Sequence, residues 1–135
     1  MKLITALVLS LILTAFARAD VPVYDESADA AALVTQALAK AKSYNKQLMI
    51  VFGANWCGDC KMLDGEFKKP ALKALLDKNY VIVKVDVNRF NKNLDVVKPY
   101  GEVIKKGIPS IVIVTCEPTR LRHQRRRIGR CAQEG

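Results

Sequence analysis

The sequence lacks an apolar run long enough to cross a membrane as a helix. The run from Leu3 to Leu13 is shorter than the roughly 20 residues that a spanning helix needs. It follows Lys2, and the small residues Ala17 and Ala19 precede Asp20, which is the pattern of a secretory signal peptide. We therefore predict a signal peptide over residues 1–19, cleaved after Ala19, and a periplasmic or secreted mature chain. A membrane anchor is the alternative.

The central part of the chain, residues 20–115, also carries little net charge. The net charge of +9 includes Lys2 and Arg18 of the predicted signal peptide and +4 from residues 116–135, so residues 20–115 carry only +3. A mildly basic body does not indicate a nucleic-acid partner, and we expect none.

Histidine and cysteine are scarce, which limits the metal sites that the chain could build. There are four cysteines and one histidine, and Cys57 and Cys60 form a C-x-x-C motif. A zinc site would need two more ligands from Cys116, His123 and Cys131, but Cys116 and Cys131 have the wrong spacing for a second C-x-x-C. A purely structural disulfide rarely spans only two residues at a helix start. We expect no metal ion and no organic cofactor.

The position of the C-x-x-C motif indicates redox chemistry. It follows an apolar run from Leu48 to Ala54, which predicts a central strand, and a helical pattern begins at the motif. The first sulfur would lie at the helix N-terminus, where the dipole favours a thiolate, and the second one turn later. Such a junction is typical of thiol–disulfide exchange. Cys57 is the predicted nucleophile, and Cys60 would resolve the mixed disulfide.

Apolar periodicity predicts alternating helices and strands, an α/β layout with at least one right-handed crossover. Helices are expected at 28–42 with Ser27 as N-cap, at 57–67 with Met62, Leu63 and Phe67 facing inward, at 70–79 with Leu72, Leu75 and Leu76, and at 94–100 with Gly101 as the stop; strands are expected at 48–54, 80–87 and 111–115.

Two motifs together resemble the thioredoxin superfamily. Trp56 precedes the C-x-x-C motif, and the run Gly107, Ile108, Pro109 precedes the last predicted strand. Residues 28–115 are most similar to secreted, single-domain thioredoxin-like proteins of bacteria that are labelled disulfide isomerase-like. The resemblance implies a thioredoxin-like α/β domain over residues 20–115, with a central mixed sheet flanked by helices.

The same resemblance implies a substrate surface beside the cysteines. Pro109 is expected to be cis and to face the cysteine pair, Ile108 to pair its backbone with substrate, and Trp56 to pack beside the disulfide. The alternatives are a strand-edge proline and a core tryptophan. The resemblance implies an exported thiol–disulfide oxidoreductase, a reductase or isomerase. We expect a monomer that acts on exported proteins and receives electrons from a membrane donor. A non-catalytic thioredoxin-fold binding module is the alternative.

Two residues, Gly58 and Asp59, would tune the reaction. Gly58 and Asp59 separate the cysteines, and a carboxylate at Asp59 disfavours a nearby thiolate, which predicts a more reducing pair. The alternative is that Asp59 points into solvent.

Thioredoxins carry a buried acid on the strand before the motif, but Val51 holds that place here. We therefore expect Lys84, which would partner the acid, to lack its partner, and proton transfer to use water, Asp59 or another group.

The segment after Thr115 does not match the rest of the domain. Residues 116–135 contain six arginines and show no period with a core face. A complete thioredoxin-like domain needs one more strand and a C-terminal helix here, so we expect both to be missing. The alternatives are a disordered basic tail and an arginine-rich segment that binds anions, membranes or RNA.

A frameshift near codon 115 is the hypothesis that explains most of this tail. Codons can be chosen for Arg122 to Gly135 that, read one base later, encode Ala-Thr-Ser-Asp-Gly-Glu-Leu-Ala-Asp, which resembles the continuation of the secreted relatives. Cys116 and Cys131 would then be accidental thiols. Sequencing the gene across this point tests the hypothesis, and clean in-frame reads would refute it.

Overall fold

The computed structural model describes residues 21–115 and 132–134. The predicted signal peptide and most of the atypical tail, with Cys116, His123 and Cys131, lie outside these residues. The elements in chain order are α1 Ala30–Ser43, β1 Gln47–Gly53, α2 Gly58–Phe67, α3 Pro70–Asn79, β2 Tyr80–Asp86, α4 Leu94–Val97 continued by a 3-10 turn Lys98–Tyr100, β3 Ser110–Thr115 and β4 Ala132–Glu134.

The four strands form one mixed sheet in the order β2-β1-β3-β4. The central strand β1 runs parallel to β2 and antiparallel to β3. All residues of β1 after Gln47 are buried, because helices cover both faces of the sheet at this strand. This confirms the predicted α/β fold, with the apolar run at its centre.

One edge of the sheet differs from our expectation. We expected no strand after the one at 111–115, yet β4 pairs antiparallel with β3, with Val114 opposite Gln133. A three-residue strand has too few residues to show a period-two pattern, which is why the sequence did not reveal it. We also expected the C-terminal helix of the domain to be missing, but that expectation falls on residues outside those that the structure describes.

The sheet buries a core on each face. On one face α1 and α4 pack over the large cluster that contains Leu48, Ile50 and Phe52. On the other face α2 and α3 cover a smaller cluster built on Met49, Val51 and Leu76, against which Leu63, Phe67 and Leu72 pack. Met62, which we expected to face inward, is instead exposed, and Leu75 is exposed as well.

The helix ends follow ordinary capping rules, with one correction. Asp29, not Ser27, is the N-cap of α1, and its carboxylate accepts a hydrogen bond from Ala32 N at 3.0 Å. Ser27 instead donates to Asp25. Pro70 opens α3 as predicted. Within residues 21–115 and 132–134, no helix combines the length and the apolar character needed to cross a membrane.

Candidate active site

The C-x-x-C motif lies where β1 passes into α2. Cys57 is the N-cap of α2, and its Sγ accepts a hydrogen bond from Cys60 N at 3.2 Å. A helix start leaves such N–H groups without intrahelical partners, so the sulfur takes the place of a capping side chain. Both cysteines are free thiols and buried, Cys57 at 6% exposure and Cys60 at 1%.

The loop before β3 faces the first sulfur. The Ile108–Pro109 peptide bond is cis, which confirms the isomer that the resemblance implies. The Cys57 thiol donates to Ile108 O at 3.6 Å, and Ile108 also packs on Cys57 and Cys60. Gly107 has a φ of 127°, a backbone conformation that residues other than glycine rarely adopt. The loop therefore lies beside the cysteine pair.

Trp56 lies on the surface next to the motif. It is 51% exposed, so the alternative of a core tryptophan is wrong. Its Nε1 donates to Asn88 O at 2.9 Å. The ring meets Phe90 edge-on with a centroid distance of 6.4 Å, and the Arg89 guanidinium lies 5.7 Å from the Trp56 ring centroid. The polar loop after β2 thus fixes the indole, and sequence reasoning missed Phe90 because it is a single aromatic among polar residues.

A shallow groove continues from this aromatic pair. It has a volume of about 640 Å³ and runs from Phe90 to Gly107, the residue before Ile108. Its lining is largely apolar, with Leu94, Val97 and Ile104, and it also includes Lys98, Lys105 and Lys106 together with the acidic Glu102. The groove therefore connects the Trp56 surface to the loop that contains Pro109.

The second sulfur lies against a tyrosine that sequence reasoning also missed. Tyr24, in the irregular segment before α1, is 1% exposed and packs with Cys57 and Cys60. Its hydroxyl lies beside the Cys60 sulfur, since a methyl group placed on Gly53 would overlap Oη of Tyr24 and would be 2.9 Å from Sγ of Cys60. Burial, together with the hydrogen bond that the Cys60 thiol donates to Cys57, raises the pKa of Cys60 to about 11. Burial also raises the pKa of Tyr24, and the nearby Cys60 adds to the effect.

A family model described as thioredoxin-like matches residues 29–116. The chain belongs to the thioredoxin-like family. Its structure is similar to that of a disulphide isomerase from Xylella fastidiosa Temecula1, at a TM-score of 0.68 and 44% identity, over 70% of this chain and 72% of that one.

Two curated relatives are also thioredoxin-like. A thioredoxin of Mycoplasmoides gallisepticum is 42% identical over 50 residues, which are 37% of this chain and 47% of that protein. Protein disulfide-isomerase A3 of Gallus gallus is 40% identical over 67 residues, 50% of this chain and 12% of that protein. The chain thus matches less than half of the length of either relative.

A buried carboxylate is present in this thioredoxin-like chain, but on α2. Val51 and Lys84 are neighbours in the β1–β2 register, and Val51 is 2% exposed. We expected Lys84 to lack an acidic partner, and this is wrong: its Nζ bonds to Oδ1 of Asp64. Lys68 contacts the other oxygen of Asp64 at 2.6 Å. Two lysines therefore occupy both oxygens of the only buried acid on α2 within the described residues.

The two residues between the cysteines face outward. Gly58 and Asp59 are exposed, and Asp59 lies in the first turn of α2. The exposure fits the alternative that Asp59 points into solvent, while its effect on the reduction potential remains a prediction. No group of three or more potential metal-ligating side chains occurs in residues 21–115.

Asp64 predicts an acid-sensitive contribution to stability. Burial raises the pKa of Asp64, but the bonds and charges of Lys68 and Lys84 outweigh it, so the folded-state pKa lies below its usual value. The unfolded value is about 3.9. The ionised pair therefore stabilises the fold above about pH 4, and this contribution is lost as the pH falls further towards the folded-state pKa.

Replacing Asp64 by asparagine tests this. We expect Asp64→Asn to lower the free energy of unfolding at pH 7 by about 2 kcal/mol, because Lys84 loses its buried partner. Urea unfolding at pH 7 and pH 3 should show a smaller difference between wild type and variant at pH 3. Asp77→Asn is the control, since it removes only an exposed pair with Lys73. Equal losses in the two variants would contradict the assignment.

Proposed function

We propose that the chain is an exported thiol–disulfide oxidoreductase that acts on protein disulfides as a reductase or isomerase. The observation that carries the proposal is the placement of the Cys57 sulfur. It caps α2, faces the loop of Ile108 and Pro109, and lies within hydrogen-bond distance of the Cys60 backbone N–H. The thioredoxin-like family and the similarity to a disulphide isomerase support it.

The reaction that we assign begins with the thiolate of Cys57. The N–H groups and dipole at the start of α2 stabilise negative charge on this sulfur. It attacks a substrate disulfide, and one substrate sulfur leaves. Cys60 then attacks Cys57 Sγ and releases the second substrate sulfur, which leaves a Cys57–Cys60 disulfide. The reverse sequence oxidises a dithiol.

The surface around the cysteines supports a protein substrate. Trp56 and Phe90 offer exposed aromatic area, and the apolar groove leads from them towards Pro109. A small disulfide needs no such surface, whereas an extended polypeptide could pair its backbone at Ile108 and place apolar side chains on the aromatic rings. We assign Trp56, Ile108 and Pro109 to substrate binding, and Gly58 and Asp59 to redox tuning.

Export and an electron source complete the proposal. The signal-peptide pattern in residues 1–19 supports an extracytoplasmic location, where disulfides persist. A reductant in such a compartment needs electrons from a membrane partner, which we propose as the donor.

The assay for this function is reduction of insulin by dithiothreitol, with Cys116 and Cys131 replaced by serine to remove other thiols. We expect the protein to accelerate insulin precipitation at micromolar concentration. A rate equal to that of dithiothreitol alone, together with unimpaired binding of an unfolded protein, would favour the binding-module alternative instead.

Phe90 provides a test of the substrate surface. It is 43% exposed and contacts Trp56. Losing its apolar area should weaken polypeptide binding by about 1 kcal/mol, so we expect Phe90→Ala to raise KM for insulin about fivefold with kcat nearly unchanged. The matched control is Leu75→Ala, which removes an exposed apolar side chain from α3. Equal KM values for Phe90→Ala and wild type would exclude Phe90 from the surface.

A further inference from the structure

Tyr24 is held against the active-site loop by its backbone. Tyr24 N donates to Asn55 Oδ1 at 2.9 Å, and Asn55 Nδ2 donates to Tyr24 O at 2.8 Å. Asn55 lies two residues before Cys57. This reciprocal pair ties a segment without regular secondary structure to the motif, and it explains how an isolated tyrosine comes to be buried there.

Gly53 makes room for the phenol beside the second sulfur. A methyl group at Gly53 would overlap Oη and Cζ of Tyr24 and would lie 2.9 Å from Sγ of Cys60. The phenol and the sulfur therefore converge above the last residue of β1. Only glycine leaves space for both, so the close approach of Oη to Cys60 is built into the strand.

The buried second thiol poses a chemical problem for the proposed reaction. Only a thiolate attacks a disulfide, and burial, reinforced by Cys57, raises the pKa of Cys60 to about 11. The strand position that holds an acid in thioredoxins is Val51. Asp64 is bonded to two lysines. The Tyr24 hydroxyl, in contrast, lies beside the Cys60 sulfur above Gly53, and the Tyr24 side chain packs with both cysteines.

We propose that Tyr24 activates the resolving cysteine, by donating its phenolic hydrogen to Sγ of Cys60 and stabilising the thiolate that attacks Cys57. This inference rests on the proposed function. Hydrogen bonds to an ionised acceptor are roughly twice as strong as neutral ones, and a water-poor site strengthens them further. Burial keeps the pKa of Tyr24 above its usual value, so the phenol is a donor and not a base.

The step balances without another reactant. Cys57 begins it bonded to a substrate sulfur. The Cys60 thiol releases its proton to solvent, and its sulfur, held by the Tyr24 hydroxyl, attacks Cys57 Sγ. The bond between Cys57 and the substrate breaks and the Cys57–Cys60 bond forms. The electron pair leaves on the substrate sulfur, which takes a proton from solvent, so the substrate is reduced and the cysteine pair is oxidised.

The two attacks can be timed separately with 5,5′-dithiobis(2-nitrobenzoate). Attack by Cys57 releases one nitrothiobenzoate, and resolution by Cys60 releases a second. The full chain is used, with Cys116 and Cys131 replaced by serine. We expect Tyr24→Phe to slow the second release about tenfold, the effect of losing a hydrogen bond to a charged sulfur, and to shift its pH midpoint upward. The first release should stay within about twofold of wild type.

A second tyrosine provides the control for Tyr24→Phe. Tyr44→Phe removes the hydroxyl of an exposed tyrosine and should leave both releases unchanged. If Tyr24→Phe fails to fold, Asn55→Ala is the second variant. It keeps the Tyr24 phenol but removes the hydrogen bonds that hold the Tyr24 backbone, and we expect it to slow the second release. A second release at the wild-type rate, or equal slowing of both, would overturn the role of Tyr24. A wild-type protein that releases only one equivalent would overturn the proposed function itself.

Discussion

Replacing Cys57 by serine should reduce insulin reductase activity to the background of dithiothreitol alone. A serine hydroxyl is not ionised near neutral pH, so the attacking group at the start of α2 disappears. Loss of the nucleophile from a covalent mechanism removes the whole pathway, and we expect a decrease of at least about 10³-fold. Serine is also a good N-cap, so α2 should keep its start and the protein should remain folded.

Cys60→Ser separates the two sulfurs. In this variant Cys57 can still attack, but the mixed disulfide cannot be resolved from within the protein. We expect a covalent adduct with a disulfide-containing substrate, visible by mass spectrometry and absent from Cys57→Ser. Retention of more than a tenth of the activity by Cys57→Ser, or trapping by Cys57→Ser in place of Cys60→Ser, would contradict the assigned roles.

Gly53→Ala should destabilise the fold, although alanine generally suits a folded chain better than glycine. The added methyl group would overlap the Tyr24 ring, which is 1% exposed and held through Asn55. Since the ring is buried and its backbone is held by Asn55, the strand or the segment that contains Tyr24 must shift. Overpacking of this kind costs about 2 kcal/mol.

Gly65→Ala is the matched control for this substitution. Gly65 lies on the exposed side of α2, and an added methyl group meets no atom within 4 Å. Because alanine is the better helix former, this change should stabilise the protein by up to about 1 kcal/mol. Urea unfolding of both variants measures the contrast. Two variants of equal stability would show that Gly53 is not needed for the close approach of Tyr24 and Cys60.

The main elements and the reactive pair could be predicted from local pattern. The run at β1 is apolar on both faces, which requires a central strand, and a C-x-x-C motif at the following junction indicates redox chemistry. Apart from β4, which was not predicted, the observed elements lie within two residues of the predicted ones when α4 is taken together with its 3-10 turn. The cis bond before Pro109 followed from the family resemblance alone.

The residues that surround the second sulfur could not be predicted in this way. Tyr24 belongs to no periodic segment, and only the tertiary contact with Asn55 buries it. In the sequence, Asp64 has the pattern of a residue on the polar face of α2. Its two lysine partners lie at the end of that helix and on β2, so the pattern of α2 alone does not indicate both ion pairs. Met62 and Leu75 fit helical spacing, yet the structure leaves them exposed. Periodicity selects a helix face, but the neighbours that cover it are set by tertiary packing.

The reduction potential of the Cys57–Cys60 pair is the most direct test of the account. It would be measured by equilibration with glutathione and dithiothreitol buffers, with Cys116 and Cys131 replaced by serine. We predict a reversible two-electron disulfide with a potential near or below about −250 mV, on the thioredoxin side of the range. A value above about −180 mV would indicate an isomerase or oxidant and would refute the role of Asp59. A pair that forms no reversible disulfide would contradict the proposed function altogether.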